Sequence, residues 1–479
     1  MKQDFHPLFI KRYSPLFSKE EFAIFLDYCT KPLRRSIRVN TTRINLEDFE
    51  KKALVNNWSL EKIPYIPNWY FIEWDHKNEA LGKSIEYFCG LFYIQETSSM
   101  IPPLVLNPVK WDIILDMSAA PGSKSTQMST IINNDGLIMA NDVVSSRIKA
   151  LKTNINYQGM IACVSSKLDW RDFGRYYNET FDKILLDAPC SWEGTMRKDK
   201  IKWSLDVIEE LASLQKRLIS SALQALKIGG ELVYSTCTMT PEEDELILDY
   251  IKKTFWEAVN ITPWELKGLK STPWLLEWEW KKLDKDCQYW QKIWPHINNT
   301  EGFFIAKIKK NSKINVDKIS TYYPKKNTEK IIKWKELKIL FSQIDKRFWI
   351  SKKYFKKYII VKKGTTLEIR TKQSNSFALL PNIQSLWIPF GEEIQNNFSL
   401  DFYSGQSFWK YATKNILILN LEQTNKFIKW EDIRLKNSQI KNCLEWQLII
   451  MYDDIILWTS LLQKNWNLKN QVPRENIKM

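Results

Sequence analysis

Between residues 111 and 310, short continuous apolar runs alternate with stretches of helical spacing. The runs are Ile113–Met117, Leu137–Ala140, Ile161–Val164, Lys183–Leu186, Glu231–Tyr234 and Phe303–Ile308. Each has strand length, while Ser145–Asn156 and Asp206–Lys227 repeat their apolar residues near the 3.6-residue helical period. Strands buried on both faces need no polar alternation. The pattern therefore predicts βαβ units and an α/β fold with a doubly wound, mostly parallel sheet. An irregular, Trp-rich stretch of about 255–300 precedes the last run. Residues 1–100 read as a mixed, mostly helical region with extended pieces. Beyond about 386, the β-like runs Ser385–Pro389, Phe402–Tyr403, Ile416–Leu421 and Trp446–Met451 predict a small α+β or barrel module.

Composition removes several function classes. The 479 residues are 44% hydrophobic and 26% charged, as in a globular chain of several domains. No run of 18 apolar residues suggests a membrane span, and the first residues lack a signal-type apolar stretch; the sparse cysteines point to a reducing cytoplasm. Seven scattered cysteines with no CxxC pair, and three histidines, argue against a disulfide framework, a zinc ribbon or any metal site.

Charge is unevenly placed. The net formal charge is +15 over the chain, but +1 over residues 1–310 and +13 over 311–372. Uniform codon drift toward lysine would not concentrate the excess in this way. A polyanionic partner, nucleic acid first, suits such a segment. Phe348, Trp349, Tyr354, Phe355 and Tyr358 interleave with its cations. On a helix, the i, i+4 pairs Lys352/Lys356 and Lys353/Lys357 would lie on adjoining faces and meet phosphates, while the aromatics stack on bases. The alternative is a solvated helix face over a small core. Upstream, Pro32–Asn40 is a basic cluster entering a short strand. RNA contacts are expected at Arg38, Arg197, Lys352, Lys353, Lys356 and Lys357.

Candidate chemistry gathers at the carboxyl ends of the expected strands, where open α/β sheets bind ligands. The first strand runs into Met117-Ser118-Ala119-Ala120-Pro121-Gly122-Ser123-Lys124-Ser125. Small residues and a Gly before a helix let the backbone approach a ligand and point N–H groups at an anion. The turn is neither GxGxxG nor a P-loop, which leaves a smaller nucleoside cofactor. Asp142 ends the second strand, where a ribose hydroxyl pair is usually held, and Asp169 follows the third. The fourth ends Asp187-Ala188-Pro189-Cys190-Ser191 and the fifth Ser235-Thr236-Cys237-Thr238, so two thiols and a carboxylate should converge. A redox dithiol is one reading; without CxxC, nucleophilic use is the better one.

AAPGSK, DAPCS and STCT, in this order across about 200 residues, resemble the RNA cytosine-5 methyltransferase family. Ser36–Thr41, Gln95–Pro103, Ser191–Asp199 and Trp294–His296 leading to Glu301–Phe304 are similar to a subgroup acting on small-subunit ribosomal RNA. The resemblance covers nearly the whole chain and is weakest after 310. It implies an N-terminal domain over 1–100, a Rossmann-like S-adenosylmethionine-dependent domain over 101–310, a connecting domain over 311–385 and a PUA-like domain over 386–479. It implies that Cys237 bonds cytosine C6, that Cys190 assists release, and that Asp187 shares a proton at N3. Ala119, Ala120, Pro121, Gly122, Ser123, Lys124, Ser125, Asp142, Asp169 and Asp187 would contact the cofactor. Lys124 would bind the cofactor carboxylate or orient the cytosine. The expected partner is ribosomal RNA within the small subunit, with no membrane and a monomeric enzyme. Transfer RNA as substrate, and a non-catalytic assembly factor, remain the rival readings.

Overall fold

The computed structural model describes residues 5–471 apart from 76–79, 199–200, 202, 272–276, 279–280, 285–288, 290, 317–329, 378–381, 386–387, 395–396, 442 and 445. Its centre is a mostly parallel sheet. The strands are β1 (Ile113–Asp116), β2 (Leu137–Asn141), β3 (Cys163–Ser166), β4 (Phe181–Asp187), β5 (Leu226–Thr236), β6 (Val259–Thr262) and β7 (Phe303–Lys310). Their order is β6-β7-β5-β4-β1-β2-β3, with Ile383–Ser385 added beside β3 and Gln291–Ile293 pairing with β7. β1 to β5 are parallel; β7 runs antiparallel to β5, and β6, antiparallel to β7, resumes the common direction. Leu115 pairs with Met139 on one side and Ile184 on the other, so β1 is central and the connection order reverses beside it. That reversal opens a crevice at the strand ends.

The continuous apolar runs have the burial they imply. All five residues of β2 are buried, and separate apolar clusters cover the two faces of the sheet. The covering helices include α1 (Ser123–Ile131), α2 (Ser145–Gln158), α3 (Leu205–Ala225) and α4 (Glu245–Phe255). α3 buries Ile208, Ala212, Leu218, Ile219 and Ala222 along one stripe. α2 stops at Gly159, whose φ of 70° is the left-handed cap that glycine supplies without strain.

The N-terminal region has two parts. Helices Pro7–Tyr13 and Lys19–Tyr28 pack Phe9, Tyr13 and Phe25 against Met196, Met239 and Trp294. A four-stranded antiparallel sheet follows, ordered Ser59–Lys62, Trp69–Glu73, Ser36–Val39, Phe92–Ile94. Arg38 lies in it and is 1% exposed. Its guanidinium donates to the Ser123 carbonyl at 2.6 Å and to Thr126 Oγ1 at 2.7 Å. The expected RNA contact at Arg38 is therefore replaced by a buried tie between this sheet and α1.

Beyond 310 the described residues form two five-stranded sheets. One is ordered Lys330–Ile331, Tyr358–Lys363, Thr366–Thr371, Ile388–Ile394, Asn397–Leu400. The other is ordered Ile416–Leu419, Trp446–Tyr452, Ile455–Leu462, Asn467–Asn470, Ile433–Arg434. The boundary expected at 385/386 thus cuts the first sheet, because Thr366–Thr371 pairs with Ile388–Ile394. Phe402–Tyr403 opens the helix Phe402–Phe408 rather than a strand.

The helix expected over Lys352–Lys357 is absent. The long helix is Trp334–Phe348, and it ends as Trp349 turns left-handed at φ 56°. A 3-10 turn over Lys352–Phe355 and the strand from Tyr358 follow. Burial of Phe348 and Phe355, at 1% and 2% exposure, decides this geometry over the lysine spacing. Among the described residues, no helix is long and apolar enough to cross a membrane, and no cluster of His, Cys, Asp and Glu could hold a metal ion.

Arg38→Met should keep the fold but lower its stability by about 1–3 kcal/mol, because two buried acceptors lose their donor. A shifted urea midpoint would show it.

Candidate active site

Two thiols meet where β4 and β5 end. Asp187 pairs with Ser235 across these parallel strands, so Cys190 and Cys237 leave the sheet side by side. Their sulfurs are 3.4 Å apart. Cys190 is buried and Cys237 half-buried, so Cys237 is the one open to a ligand. Burial, and then the neighbouring Cys237, push the Cys190 thiol well up, so Cys190 keeps its proton.

The approach of these segments needs two glycines. Gly194 donates its N–H to the Cys237 carbonyl at 2.9 Å, and Gly302 donates to the Gly194 carbonyl at 3.0 Å. A Cβ on Gly194 would sit 2.0 Å from the Gly302 oxygen; one on Gly302 would sit 2.6 Å from the Met239 sulfur. Glu193, fully buried, then ties the crossing together. It accepts from Tyr13 Oη at 2.5 Å, from Thr238 Oγ1 at 3.2 Å and from the Trp203 ring N–H. Thr238 Oγ1 in turn lies 2.9 Å from Ser191 Oγ, so the residues following both cysteines are linked. Glu243 accepts from Ser191 N at 3.1 Å and from Gln215 Nε2 at 2.8 Å. Behind the loop, buried Lys292 donates to the Met239 carbonyl at 2.7 Å and faces Asp244 at 3.3 Å and Glu245 at 2.9 Å.

Asp187 ends β4, three residues before Cys190. One oxygen accepts from Lys124 Nζ at 2.7 Å and the other from Ser235 Oγ at 2.8 Å. Burial opposes the Lys124 ammonium, but the Asp187 carboxylate outweighs it and the net shift is upward. Lys124 is on the first turn of α1, and Lys124 and Asp187 join the two halves of the crevice.

The turn Met117–Gly122 is held by neighbouring helices and strands. Arg147 Nη2 donates to the Ala120 carbonyl at 2.7 Å and Asn154 Nδ2 to the Pro121 carbonyl at 2.8 Å. The Ala119 N–H donates to the Asn141 carbonyl at 2.7 Å. Gly122 has φ 109°, which L side chains rarely adopt. Asp116, at the end of β1, accepts from Ser125 Oγ at 2.6 Å through one oxygen. Its other oxygen is buried without a hydrogen-bond partner, as is Ser118 Oγ. Burial pushes the Asp116 carboxyl up to about 7. Asp142, at the end of β2, is fully buried; one oxygen accepts from Val144 N at 2.9 Å. The other lies 3.3 Å from Arg147 Nη1 without hydrogen-bond geometry. Unsatisfied acceptors beside a glycine cradle fit a nucleoside ligand with hydroxyl and amine donors.

The structure thus gathers Ala119–Ser125, Asp142, Asp187, Cys190 and Cys237 at the ends of neighbouring strands. Asp169 is instead engaged by Arg171 at 2.8 and 2.5 Å. Arg197, expected at RNA, donates to the carbonyls of Lys31, Pro32 and Thr300, each at 3.0 Å. It is therefore a clamp between the N-terminal helices and the loop before Gly302. Asp116, Tyr13, Glu193, Glu243 and Lys292 went unrecognised in the sequence. Glu193, Gly194 and Gly302 carried a signal, by lying inside segments with family resemblance.

Two family descriptions match this chain: "16S rRNA methyltransferase RsmB/F" over residues 103–309 and "N-terminal domain of 16S rRNA methyltransferase RsmF" over residues 5–97. A ribosomal RNA small subunit methyltransferase F of Vibrio vulnificus (strain YJ016) is 33% identical over 469 residues, covering 95% of this chain and 93% of that one. A protein of the same name from Shewanella sp. (strain MR-7) is 43% identical over 291 residues, 60% of this chain but 58% of its own length. Among solved structures, a methyltransferase homologue from Pyrococcus horikoshii superimposes with a TM-score of 0.55 at 31% identity, over 64% of this chain and all of that one. NSun6 from the same organism, solved with SFG, gives 0.57 at 24% identity over 65% of this chain and all of that one, a likeness of fold.

Two outcomes follow from the geometry. Gly194→Ala should cost about 3 kcal/mol or more in chemical unfolding, because backbone lies where its Cβ must go. Asp116 has a folded-state value above its unfolded one, so its contribution is full below about pH 4 and lost as pH rises through about 7. Asp116→Asn should therefore gain stability over the native chain between about pH 4 and pH 7, by a few kcal/mol, then hold level. Urea curves at pH 5 and pH 8 measure the gap.

Proposed function

The chain belongs to the ribosomal RNA small subunit methyltransferase F group of the RNA cytosine-5 methyltransferase family, and from that premise we propose that it methylates C5 of a cytosine in 16S ribosomal RNA. The observation that carries this reading is the unequal thiol pair. One sulfur is half-open and the other buried and protonated, 3.4 Å apart, beside the Lys124–Asp187 pair.

Cytosine C5 is a poor nucleophile until C6 is attacked, and a covalent bond at C6 divides one hard step into two. Cys237, having lost its proton, bonds C6, and the ring electrons pass toward N3 and C5. Asp187, bridged to Lys124, shares a proton at N3 and so stabilises the charge that develops there. S-adenosylmethionine, when bound, supplies the electrophilic methyl group that C5 takes. Loss of the C5 proton then restores the ring double bond and expels Cys237. Cys190 keeps its proton and can donate a hydrogen bond to the departing Cys237 thiolate. Ala119–Ser125, Asp142 and Asp187 hold the cofactor, with the free acceptors of Asp116 and Ser118 available to its donors. Asp169 joins them only if it leaves Arg171. The base must be out of its stack to reach Cys237.

The enzyme acts in the cytoplasm, as a monomer, on RNA of the small subunit. Lys352, Lys353 and Lys356 are exposed and grip phosphates; Lys357 pairs with Asp135 at 2.5 Å and contributes less.

Cys237→Ala should abolish methylation, measured by labelled methyl transfer to unmodified small-subunit RNA; a normal rate would sink the assignment. Cys190→Ala should accumulate an RNA–protein adduct that survives a denaturing gel. Charge reversal at Lys352, Lys353 and Lys356 should weaken RNA binding and flatten its salt dependence by about one unit of slope per lost phosphate contact.

A further inference from the structure

The aromatics of the basic segment are not all surface groups. Phe348 and Phe355 are buried, and Tyr354 stacks on Tyr411 with ring centres 3.6 Å apart. Beside them is a pocket of about 220 Å3 formed by the helix Trp334–Phe348, the turn Lys352–Phe355 and the strand Tyr358–Lys363. Trp334, Leu337, Phe341 and Tyr358 line it, and Lys352 and Lys356 stand at it. Phe341 stacks on the buried Phe355 at 5.2 Å, which fixes one wall. Trp334 is 62% exposed, and both lysines are exposed.

An apolar, aromatic recess with ammonium groups beside it asks for two chemistries at once. A flat π-face suits Trp334 and Phe341, and an anion suits Lys352 and Lys356. Each nucleotide of single-stranded RNA offers both. An apolar protein helix would leave the lysines unmatched, and an acidic peptide would leave the recess unfilled. The +13 net charge of residues 311–372 decides between these occupants in favour of the polyanion. Resting on the RNA methyltransferase reading, we propose that this pocket receives one unstacked base of the substrate RNA, with Lys352 and Lys356 on the neighbouring phosphates. The lining offers few polar groups, so the base is held by stacking and without sequence preference. The pocket is a second grip on the strand, separate from the cytosine site at Cys237.

The test uses the full chain without cofactor and a short single-stranded RNA, alongside the same RNA with abasic positions. Trp334→Ala should weaken binding of the intact strand about tenfold while leaving its salt slope unchanged. Trp334→Phe should restore most of that loss, and abasic RNA should not distinguish the variants. Lys352→Glu with Lys356→Glu should instead flatten the salt slope. Equal affinity of Trp334→Ala and the native chain would overturn the proposal. So would an equal loss on abasic RNA, or loss of binding to a small-subunit protein with RNA affinity intact. Adduct formation by Cys190→Ala, measured in parallel, separates the two readings: its absence sinks the methyltransferase, while its presence with an inert Trp334→Ala sinks only the pocket.

Discussion

Three chain segments cross at backbone distance beside Cys237, and the rest of the site depends on that crossing. Gly194 and Gly302 are present because a side chain on either would collide with backbone or with Met239. The crossing sets where β5 delivers Cys237 relative to the loop carrying Cys190. Glu193 extends it by accepting from both the N-terminal helix, through Tyr13, and the loop that follows Cys237, through Thr238. The first helices are therefore tied to the scaffold of the thiol pair rather than appended to it. Arg12, bound to Glu242 and Thr240, reinforces the same junction.

The buried cations beside this crossing have acidic partners. Lys292 answers Asp244 and Glu245, and Lys124 answers Asp187. Such pairs add little net stability over apolar packing, but leaving one member unpaired is costly. They therefore penalise displacement of the loop and hold the thiols in register. Asp116 is the contrast: its free oxygen and upward shift leave an unmet demand at the cofactor turn, which a bound donor would meet.

Excess charge and candidate chemistry are divided between regions. The catalytic sheet lies in a nearly neutral part of the chain, and the excess charge lies in the module that follows. That module touches the catalytic region through contacts such as Lys357 with Asp135 and the pairing of Ile383–Ser385 with β3. Lys352 and Lys356 thus stand on a body attached to the sheet that carries the two thiols.

The doubly wound sheet was legible because its strands are buried on both faces and write themselves as unbroken apolar runs. Asp187, Cys190 and Cys237 were legible because parallel strands deliver their carboxyl ends to one edge, so position along each run already implied proximity. Tyr13, Glu193, Glu243 and Lys292 were not, since their partners lie far away in sequence and a lone buried polar residue has no periodic signature. Arg38 and Arg197 misled for the same reason: a cation looks solvent-bound until the acceptors that bury it are known. The lysine spacing at 352–357 suggested a helix because local periodicity ignores what the intervening aromatics pack against. The sequence alone thus determined the sheet, the edge where reactive groups collect and the region that carries excess charge. Only tertiary packing decided which polar groups are spent on structure, because hydrogen-bond partners are chosen by three-dimensional neighbours and not by order along the chain.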